Sequence, residues 1–89
     1  MIDNLMNKIK NKEVIIGIIG LGYVGLPIVK TILDSGFQVI GFDVDMDKVK
    51  RINMGESYIK HISSDFIEKF VNSSKLKATF DFSEIKKIL

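Results

Sequence analysis

A run of apolar residues that ends in closely spaced glycines constrains the fold of this chain most strongly. Residues 14–19 read Val-Ile-Ile-Gly-Ile-Ile, and the next six residues read Gly-Leu-Gly-Tyr-Val-Gly. A strand that is apolar on both faces is typical of the middle of a parallel sheet, where both sides are covered. The glycines permit a tight turn out of that strand. We predict a helix from Tyr23 or Val24 to Ser35, with Pro27 in its first turn and Gly36 after its end.

Strands and helices alternate along the rest of the chain. The predicted elements are a strand over 37–42, helices over 45–54 and 64–72, a strand over 76–80 and a helix over 84–89. A short amphipathic helix over 2–10 belongs to an N-terminal lead that covers residues 1–12. Strands that alternate with helices imply right-handed crossovers and a parallel sheet. We therefore predict an α/β fold over residues 13–89, a truncated Rossmann-like parallel sheet of about three strands with flanking helices.

Apolar periodicity and cap residues give finer predictions for the helices. The residues expected to face the sheet are Val24, Ile28, Ile32 and Leu33 in the first helix, Met46, Val49 and Ile52 in the second, and Phe66, Ile67, Phe70 and Val71 in the third. The expected helix caps are Asp3 or Asn4, Asp45 or Asp47, Ser64 or Asp65, and Ser83. Gly17, inside the first strand, is expected to mark the close approach of another backbone.

The position of Asp43 indicates what the closely spaced glycines bind. It follows the second strand directly and lies 23 residues after Gly20 (43 − 20). In this arrangement Gly20 allows the turn, Gly22 lets a pyrophosphate approach the backbone, and Gly25 lets the helix pack close to the strand. The free amides and positive end of the helix then face the phosphates, while Asp43 accepts hydrogen bonds from the adenosine ribose hydroxyls. The pattern thus predicts a dinucleotide site.

The charge at position 43 bears on which dinucleotide binds. The Asp43 carboxylate repels the extra phosphate of NADP, which favours NAD, although Lys48 and Arg51 lie near enough in sequence to hold that phosphate. An alternative interpretation is a glycine-rich turn in some other α/β domain, with Asp43 capping the following helix. Asp45 and Asp47 are the better candidates for that cap.

Composition excludes several other classes of function. The chain has 89 residues and a net charge of +2, with its basic residues spread along the sequence, so a nucleic-acid partner is not expected. It has no cysteine and one histidine, His61, which we expect on the surface, so neither a metal site nor a thiol nucleophile is predicted. No apolar run is long enough for a membrane span and no signal peptide is recognisable, which leads to the expectation of a cytoplasmic location.

The segment from Ile18 to Pro27, Ile-Ile-Gly-Leu-Gly-Tyr-Val-Gly-Leu-Pro, strongly resembles the N-terminus of the nucleotide-sugar dehydrogenases. The resemblance continues in Gly41-Phe-Asp-Val-Asp45, Lys48-Val49 and Asn53-Met-Gly55. This family includes the UDP-glucose and UDP-N-acetylhexosamine 6-dehydrogenases. Residues 57–62 and 76–83 are more similar to the second of these branches.

The resemblance implies a reaction and a set of cofactor-binding residues. Such enzymes use NAD to oxidise the C6 alcohol of a nucleotide sugar to a carboxylate, through a thiohemiacetal on a cysteine, and their products feed surface polysaccharide synthesis. By this resemblance the pyrophosphate would lie against Gly20, Gly22, Tyr23, Val24 and Gly25, the ribose against Asp43, and Lys48 beside it.

The chain is much shorter than the members of that family, which run to several hundred residues and carry a second, nucleotide-sugar-binding domain. The resemblance therefore implies an incomplete NAD-binding part without a catalytic residue, and a UDP-sugar substrate only for the full-length enzyme. Absence of the next parallel strand would leave Val14–Ile19 as an apolar edge, through which we expect self-association. The alternatives are a stand-alone nucleotide-binding module without catalysis, or part of a hydroxyacid or hydroxyacyl dehydrogenase. Those enzymes generally lack the Tyr-Val-Gly-Leu-Pro continuation.

Overall fold

Parallel strands with helical crossovers organise the chain, as the alternating sequence pattern predicts. The structure is a computed structural model, and it describes residues 6–7 and 9–88. The strands are β1 (Ile15–Ile19), β2 (Gln38–Phe42) and β3 (Leu76–Thr79), in the spatial order β1-β2-β3 with both pairs parallel. The helices are α1 (Gly25–Asp34), α2 (Met46–Asn53), α3 (Ser64–Asn72) and a final 3-10 helix (Phe82–Lys87). The predicted α/β class is confirmed.

One face of the sheet carries most of the hydrophobic core, because α1, α2 and α3 all pack there. The buried side chains of this core are Leu21, Leu26, Val29, Leu33, Val39, Val49, Ile52, Ile59, Ile62, Ile67, Leu76 and Ala78. Phe66, Phe70 and Val71 of α3 pack against it, as predicted. Fully burying an aliphatic side chain of this kind contributes about 1.5–3 kcal/mol, so this layer is the main stabilising element.

The first helix corrects two of the predicted core positions. Val24 and Ile28 are exposed, whereas Leu26, Val29 and Leu33 are buried. The predicted helix begins at Tyr23 or Val24, but α1 begins at Gly25, so Val24 lies in the preceding turn. The buried stripe of α1 runs through Leu26, Val29 and Leu33, which leaves Ile28 on the outer side. Val24 and Ile28 instead line a groove beside the open side of β1. Ile32 is half-buried and packs on the core as expected.

The helix caps agree with the prediction in α2 and differ elsewhere. Asp45 caps α2, as expected, but Met46 is exposed rather than turned to the sheet. Ser63, not Ser64 or Asp65, caps α3 through its hydroxyl, which accepts from the Phe66 amide. The last helix is of the 3-10 type and starts two residues earlier than predicted. Its cap is Asp81, and Ser83, the predicted cap, is the residue whose amide and hydroxyl donate to that carboxylate.

The opposite face of the sheet is covered by the chain that follows β3. The ring of Phe82 stacks on Phe42 with centroids 5.6 Å apart. A Cβ atom added at Gly17 would collide with the side chain of Ile88 and touch the Phe42 ring. Gly17 therefore makes room for side chains of this segment, and the expected approach of another backbone was wrong.

The two outer edges of the sheet differ in how their backbone groups are satisfied. Asn53 pairs with the outward-facing backbone of Ala78 on β3: its amide donates to the Ala78 carbonyl at 2.7 Å and accepts from the Ala78 amide at 2.9 Å. On β1, Gly20 donates to Phe42 in β2. By strand alternation the amides of Ile15, Gly17 and Ile19 point away from β2, and no described residue pairs with them. The edge predicted for β1 is confirmed within residues 9–88.

Residues 6–7 and 9–10 are helical, which agrees with the predicted N-terminal helix where that helix is described. Met6 and Ile9 are exposed. The remaining residues of that prediction, among them Ile2, Leu5 and the caps Asp3 or Asn4, lie outside the described residues.

Candidate functional site

A tight turn joins β1 to α1, and its glycines are required by its geometry. Gly20 has φ = +91°, a left-handed conformation that side chains rarely adopt. A Cβ atom at Gly25 would overlap the carbonyl of Gly20. The first turn of α1 therefore lies directly against the end of β1, which is the role that the sequence assigns to these two glycines.

The middle of this turn presents free backbone amides. Within residues 9–88, no oxygen accepts a hydrogen bond from the amides of Gly22, Tyr23 or Val24. Helix α1 begins without a side-chain cap and without an acidic residue in its first turn. Unpaired amides at the positive end of a helix are suited to an anionic group such as a pyrophosphate.

Asp43 lies at the end of β2, beside this turn, and its carboxylate is held from two sides. The Leu21 amide donates to Oδ2 and the Asp45 amide donates to Oδ1, each at 2.8 Å. Burial opposes ionisation, but these amides and the nearby Lys48 outweigh it and lower the pKa of Asp43 below its usual value. The group is therefore a carboxylate at neutral pH. Each oxygen keeps a further lone pair for an incoming hydroxyl.

Leu21 anchors the turn, which the sequence reasoning did not foresee. Its side chain is buried, with 1% of its surface exposed, and it fills the space above Gly41 on β2. Any Cβ at Gly41 would collide with the two methyl groups of Leu21. The signal was present in the sequence as a glycine inside a strand, which often marks a close approach.

Tyr58 is a second residue at the site that the sequence pattern did not indicate. It is half-buried and packs on the core, and its hydroxyl donates to the Leu21 carbonyl at 2.5 Å. Burial, followed by the charges of Asp43 and Asp45, raises the pKa of Tyr58 to about 12. This contact joins residues 37 positions apart, so no local pattern indicated it.

The two basic residues considered for a phosphate are placed differently. The ammonium of Lys48 would lie 3.7 Å from a Cβ at Gly22, so this side chain extends toward the glycine turn. Arg51 pairs with Asp47 at 3.2 Å, one turn earlier on α2. Lys48 is therefore the cation beside the free amides, whereas Arg51 is engaged on the outer surface of its own helix.

These residues form one continuous surface at the carboxyl ends of β1 and β2, the position at which parallel α/β sheets bind ligands. A groove of about 570 Å³ runs along the turn and is bordered by Gly20, Gly22, Tyr23, Val24 and Gly25. Free amides, an ionised carboxylate and an ammonium group supply what the phosphates and ribose of NAD require. The residues present fit that cofactor.

Other features add no second site. His61 is exposed, as expected. Within the part of the chain that the structure describes, no group of three or more potential metal ligands is brought together. None of the described helices has both the length and the apolar character needed to cross a membrane.

Comparison with known proteins identifies a matching family. The family described as "UDP-glucose/GDP-mannose dehydrogenase family, NAD binding domain" matches residues 14–88. UDP-N-acetyl-D-mannosamine dehydrogenase of Pyrococcus horikoshii is 33% identical over 72 residues, which are 80% of this chain and 17% of that protein. GDP-mannose 6-dehydrogenase of Pseudomonas syringae pv. syringae is 36% identical over 70 residues, which are 78% of this chain and 16% of that protein.

The solved structure of the Pyrococcus horikoshii dehydrogenase superimposes with a TM-score of 0.71 at 32% identity, over 80% of this chain and 17% of that one. This chain thus spans about a sixth of the length of such relatives. The matched family and the shared fold agree with the resemblance carried by residues 18–27. They favour it over the hydroxyacid and hydroxyacyl dehydrogenases. The chain belongs to the UDP-glucose/GDP-mannose dehydrogenase family and corresponds to its NAD-binding domain.

Proposed function

We propose that this chain binds NAD, with the pyrophosphate on the turn from Gly20 to Gly25 and the adenosine ribose on Asp43. The observation that most supports this proposal is the position of the Asp43 carboxylate beside the unpaired amides of the turn. Its two oxygens each accept a hydrogen bond from a backbone amide nitrogen at 2.8 Å. The amides of Gly22, Tyr23 and Val24 would donate to the phosphates, and Lys48 would neutralise part of their charge.

The same arrangement supports a preference for NAD over NADP. The extra phosphate of NADP would be placed at the ribose hydroxyl nearest to Asp43, where two negative charges repel. Arg51, the side chain best suited to hold that phosphate, is engaged with Asp47 at 3.2 Å. Lys48 extends toward the glycine turn instead.

For the whole protein we propose oxidation of the C6 alcohol of a UDP-sugar, a UDP-N-acetylhexosamine, to a uronate, with NAD as the hydride acceptor. The name of the Pyrococcus horikoshii relative and the similarity of residues 57–62 to that branch support this substrate class. The chain has no cysteine, so the thiol that the family reaction uses would lie beyond residues 1–89.

We propose that residues 13–89 are the N-terminal part of an incomplete cofactor domain, that residues 1–12 are a helical lead, and that the chain alone is inactive. The cytoplasmic location stays a prediction.

A titration of the purified chain with NAD and NADP, followed through the glycine amides by NMR, tests the cofactor proposal. We expect NAD to shift the Gly22 and Gly25 amides and NADP to shift them less. Asp43→Ala should weaken NAD binding by about tenfold to a hundredfold, because hydrogen bonds to a charged group contribute about 1.5–3 kcal/mol. Asp34→Ala, on the far end of α1, is the matched control. Unmoved glycine amides at millimolar NAD, in a folded chain, would contradict the proposal.

We also propose that the chain self-associates through the open edge of β1, over Val14–Ile19. The outward amides of this strand have no partner among residues 9–88, and its flanks expose Ile19, Val24 and Ile28. The strand carries no charge, so two copies can pair without opposing like charges. Sedimentation equilibrium should show dimers at tens of micromolar. A single monomeric species at several hundred micromolar would contradict this proposal.

A further inference from the structure

The segment between α2 and α3 reaches the glycine turn through Tyr58. This segment is itself firmly held, because Ile59 and Ile62 are buried. The amide of Ser57 donates to the Ser64 hydroxyl at 2.9 Å, and the Ser57 hydroxyl donates to the Ile59 carbonyl at 3.0 Å. The tyrosine is therefore presented to the turn from a fixed position rather than from a loose loop.

The hydroxyl of Tyr58 acts on a peptide unit that belongs to the candidate site. It donates to the Leu21 carbonyl, and the described chain contains no cis peptide bond. In a planar trans peptide the carbonyl and the next amide point in opposite directions. A group that fixes the Leu21 carbonyl therefore also fixes the direction of the Gly22 amide.

Leu21 is held on its other side by the carboxylate that faces the ribose. Its amide donates to Asp43 Oδ2 at 2.8 Å, and its side chain is buried over Gly41. Both peptide units that flank Leu21 are thus restrained by side chains from outside the turn. Gly22 needs such a restraint most, because glycine has the widest choice of backbone conformations.

We propose that Tyr58 is a positioning residue for cofactor binding, whose hydroxyl sets the Leu21–Gly22 peptide so that the Gly22 amide is oriented toward the pyrophosphate before the cofactor arrives. The inference rests on the proposed NAD site and adds to it a residue that acts through the Leu21 carbonyl. The hydroxyl stays protonated at neutral pH, because burial and the charges of Asp43 and Asp45 raise its pKa to about 12. It therefore acts as a donor throughout the physiological range.

The variant Tyr58→Phe removes the hydroxyl and keeps the ring. In the ligand-free chain we expect a change in the Gly22 amide shift and a lower order parameter there. In the NAD titration we expect the dissociation constant to rise about three- to tenfold, the equivalent of one net hydrogen bond. Ser73→Ala, which removes a hydroxyl–carbonyl bond of 3.2 Å to Phe70 at the end of α3, is the matched control and should change neither readout.

The ligand-free spectra and the NAD titration separate the role of Tyr58 from the proposal that the chain binds NAD. If the unaltered chain does not respond to NAD, the proposed function fails, and the ligand-free spectra still decide the role of Tyr58. Unchanged Gly22 shift and order parameter in Tyr58→Phe, or unchanged NAD affinity in a chain that binds NAD, overturn the inference. If Tyr58→Phe does not fold, the order parameter of the Gly22 amide in the unaltered, ligand-free chain tests the inference. A value near 0.85 is expected for a peptide held in one orientation, and a value below about 0.6 overturns the inference.

Discussion

Gly25 and Gly22 belong to the same motif, but the structure gives them different physical tasks. At Gly25 an added Cβ would overlap the backbone carbonyl of Gly20, and backbone cannot move aside without separating α1 from β1. At Gly22 the nearest atom to an added Cβ is the Lys48 ammonium at 3.7 Å, an ordinary contact with a flexible side chain. Packing of the fold therefore depends on Gly25, whereas Gly22 leaves space above the turn.

We expect Gly25→Ala to lower the free energy of unfolding by about 3 kcal/mol, as overpacking against rigid backbone does. Gly22→Ala should lower it by less than about 1 kcal/mol. The comparison is made by urea denaturation of both variants, with NAD binding measured on whichever remains folded. Equal losses of stability in the two variants would contradict the separate tasks.

At this scale the sequence predicted the residues that follow known rules and missed a contact for which no rule exists. Gly20, Gly25, Asp43 and the Asp45 cap follow from rules on turns, motif spacing and capping, and Asp43 does so although it accepts from an amide 22 residues away. The hydroxyl of Tyr58 did not, because its partner lies 37 residues away in the chain. Nothing in a single sequence specifies which core tyrosine reaches which carbonyl.

Among the elements, the final 3-10 helix depends most on charged side chains. Glu84 lies between Lys77 of β3, at 2.7 Å, and Lys87 of its own helix, at 3.1 Å. The hydrogen bond from Lys77, then those from Thr79 and Lys87, lower the pKa of Glu84 from 4.5 to about 2. The helix has no buried residue of its own, so these contacts, together with the stacking of Phe82 on Phe42, tie it to the sheet.

The lowered pKa predicts an acid-sensitive attachment of this helix. A carboxylate with a depressed pKa stabilises the folded state above its ordinary value of 4.5, and this contribution is lost as the pH falls toward 2. Glu84→Gln should reduce that pH dependence, leaving the part that comes from the Asp81 cap, whose pKa the hydrogen bonds from Ser83 also lower, and should speed hydrogen exchange of the Ile88 amide at neutral pH. Glu56→Gln, whose carboxylate makes no ion pair within residues 9–88, is the control. Equal exchange at Ile88 in Glu84→Gln and the unaltered chain would count against this attachment.

The presence of each helix and strand was predictable from the sequence, but which face of a helix is buried was less so. Helix α3 has the predicted limits, because its four apolar positions and its flanking serines leave one helical phase. Helix α1 does not, because Val24 and Ile28 are as apolar as the residues that are buried. The face that α1 turns to the sheet is set by the contact of Gly25 with Gly20, which is a tertiary contact that the apolar pattern does not encode. The last helix differs in type, and its cap is Asp81 rather than Ser83, a shift that its short apolar pattern did not indicate.

At the scale of the whole molecule, most of the core lies on one face of the sheet and the candidate site lies at one end of it. The helices cover the first face, while among the described residues the second is covered by the segment that follows β3. A small domain of this kind buries about 60% of its unfolded surface and is marginally stable, so an additional contact along an open edge has a large effect. This is why the two edges of the sheet matter for the behaviour of the chain.

Asn53 makes the two edges of the sheet unequal in their ability to pair with a strand of another copy. Its amide occupies the hydrogen-bonding groups of Ala78 that a further strand would need, so pairing at β3 is obstructed at this residue whereas the edge of β1 is open. Two copies joined at β1 by a two-fold axis would expose only the obstructed edges, and assembly would stop there. Asn53→Ala should reopen the second end and convert a closed pair into an open-ended series in sedimentation velocity. One side chain would then decide between a dimer and a polymer.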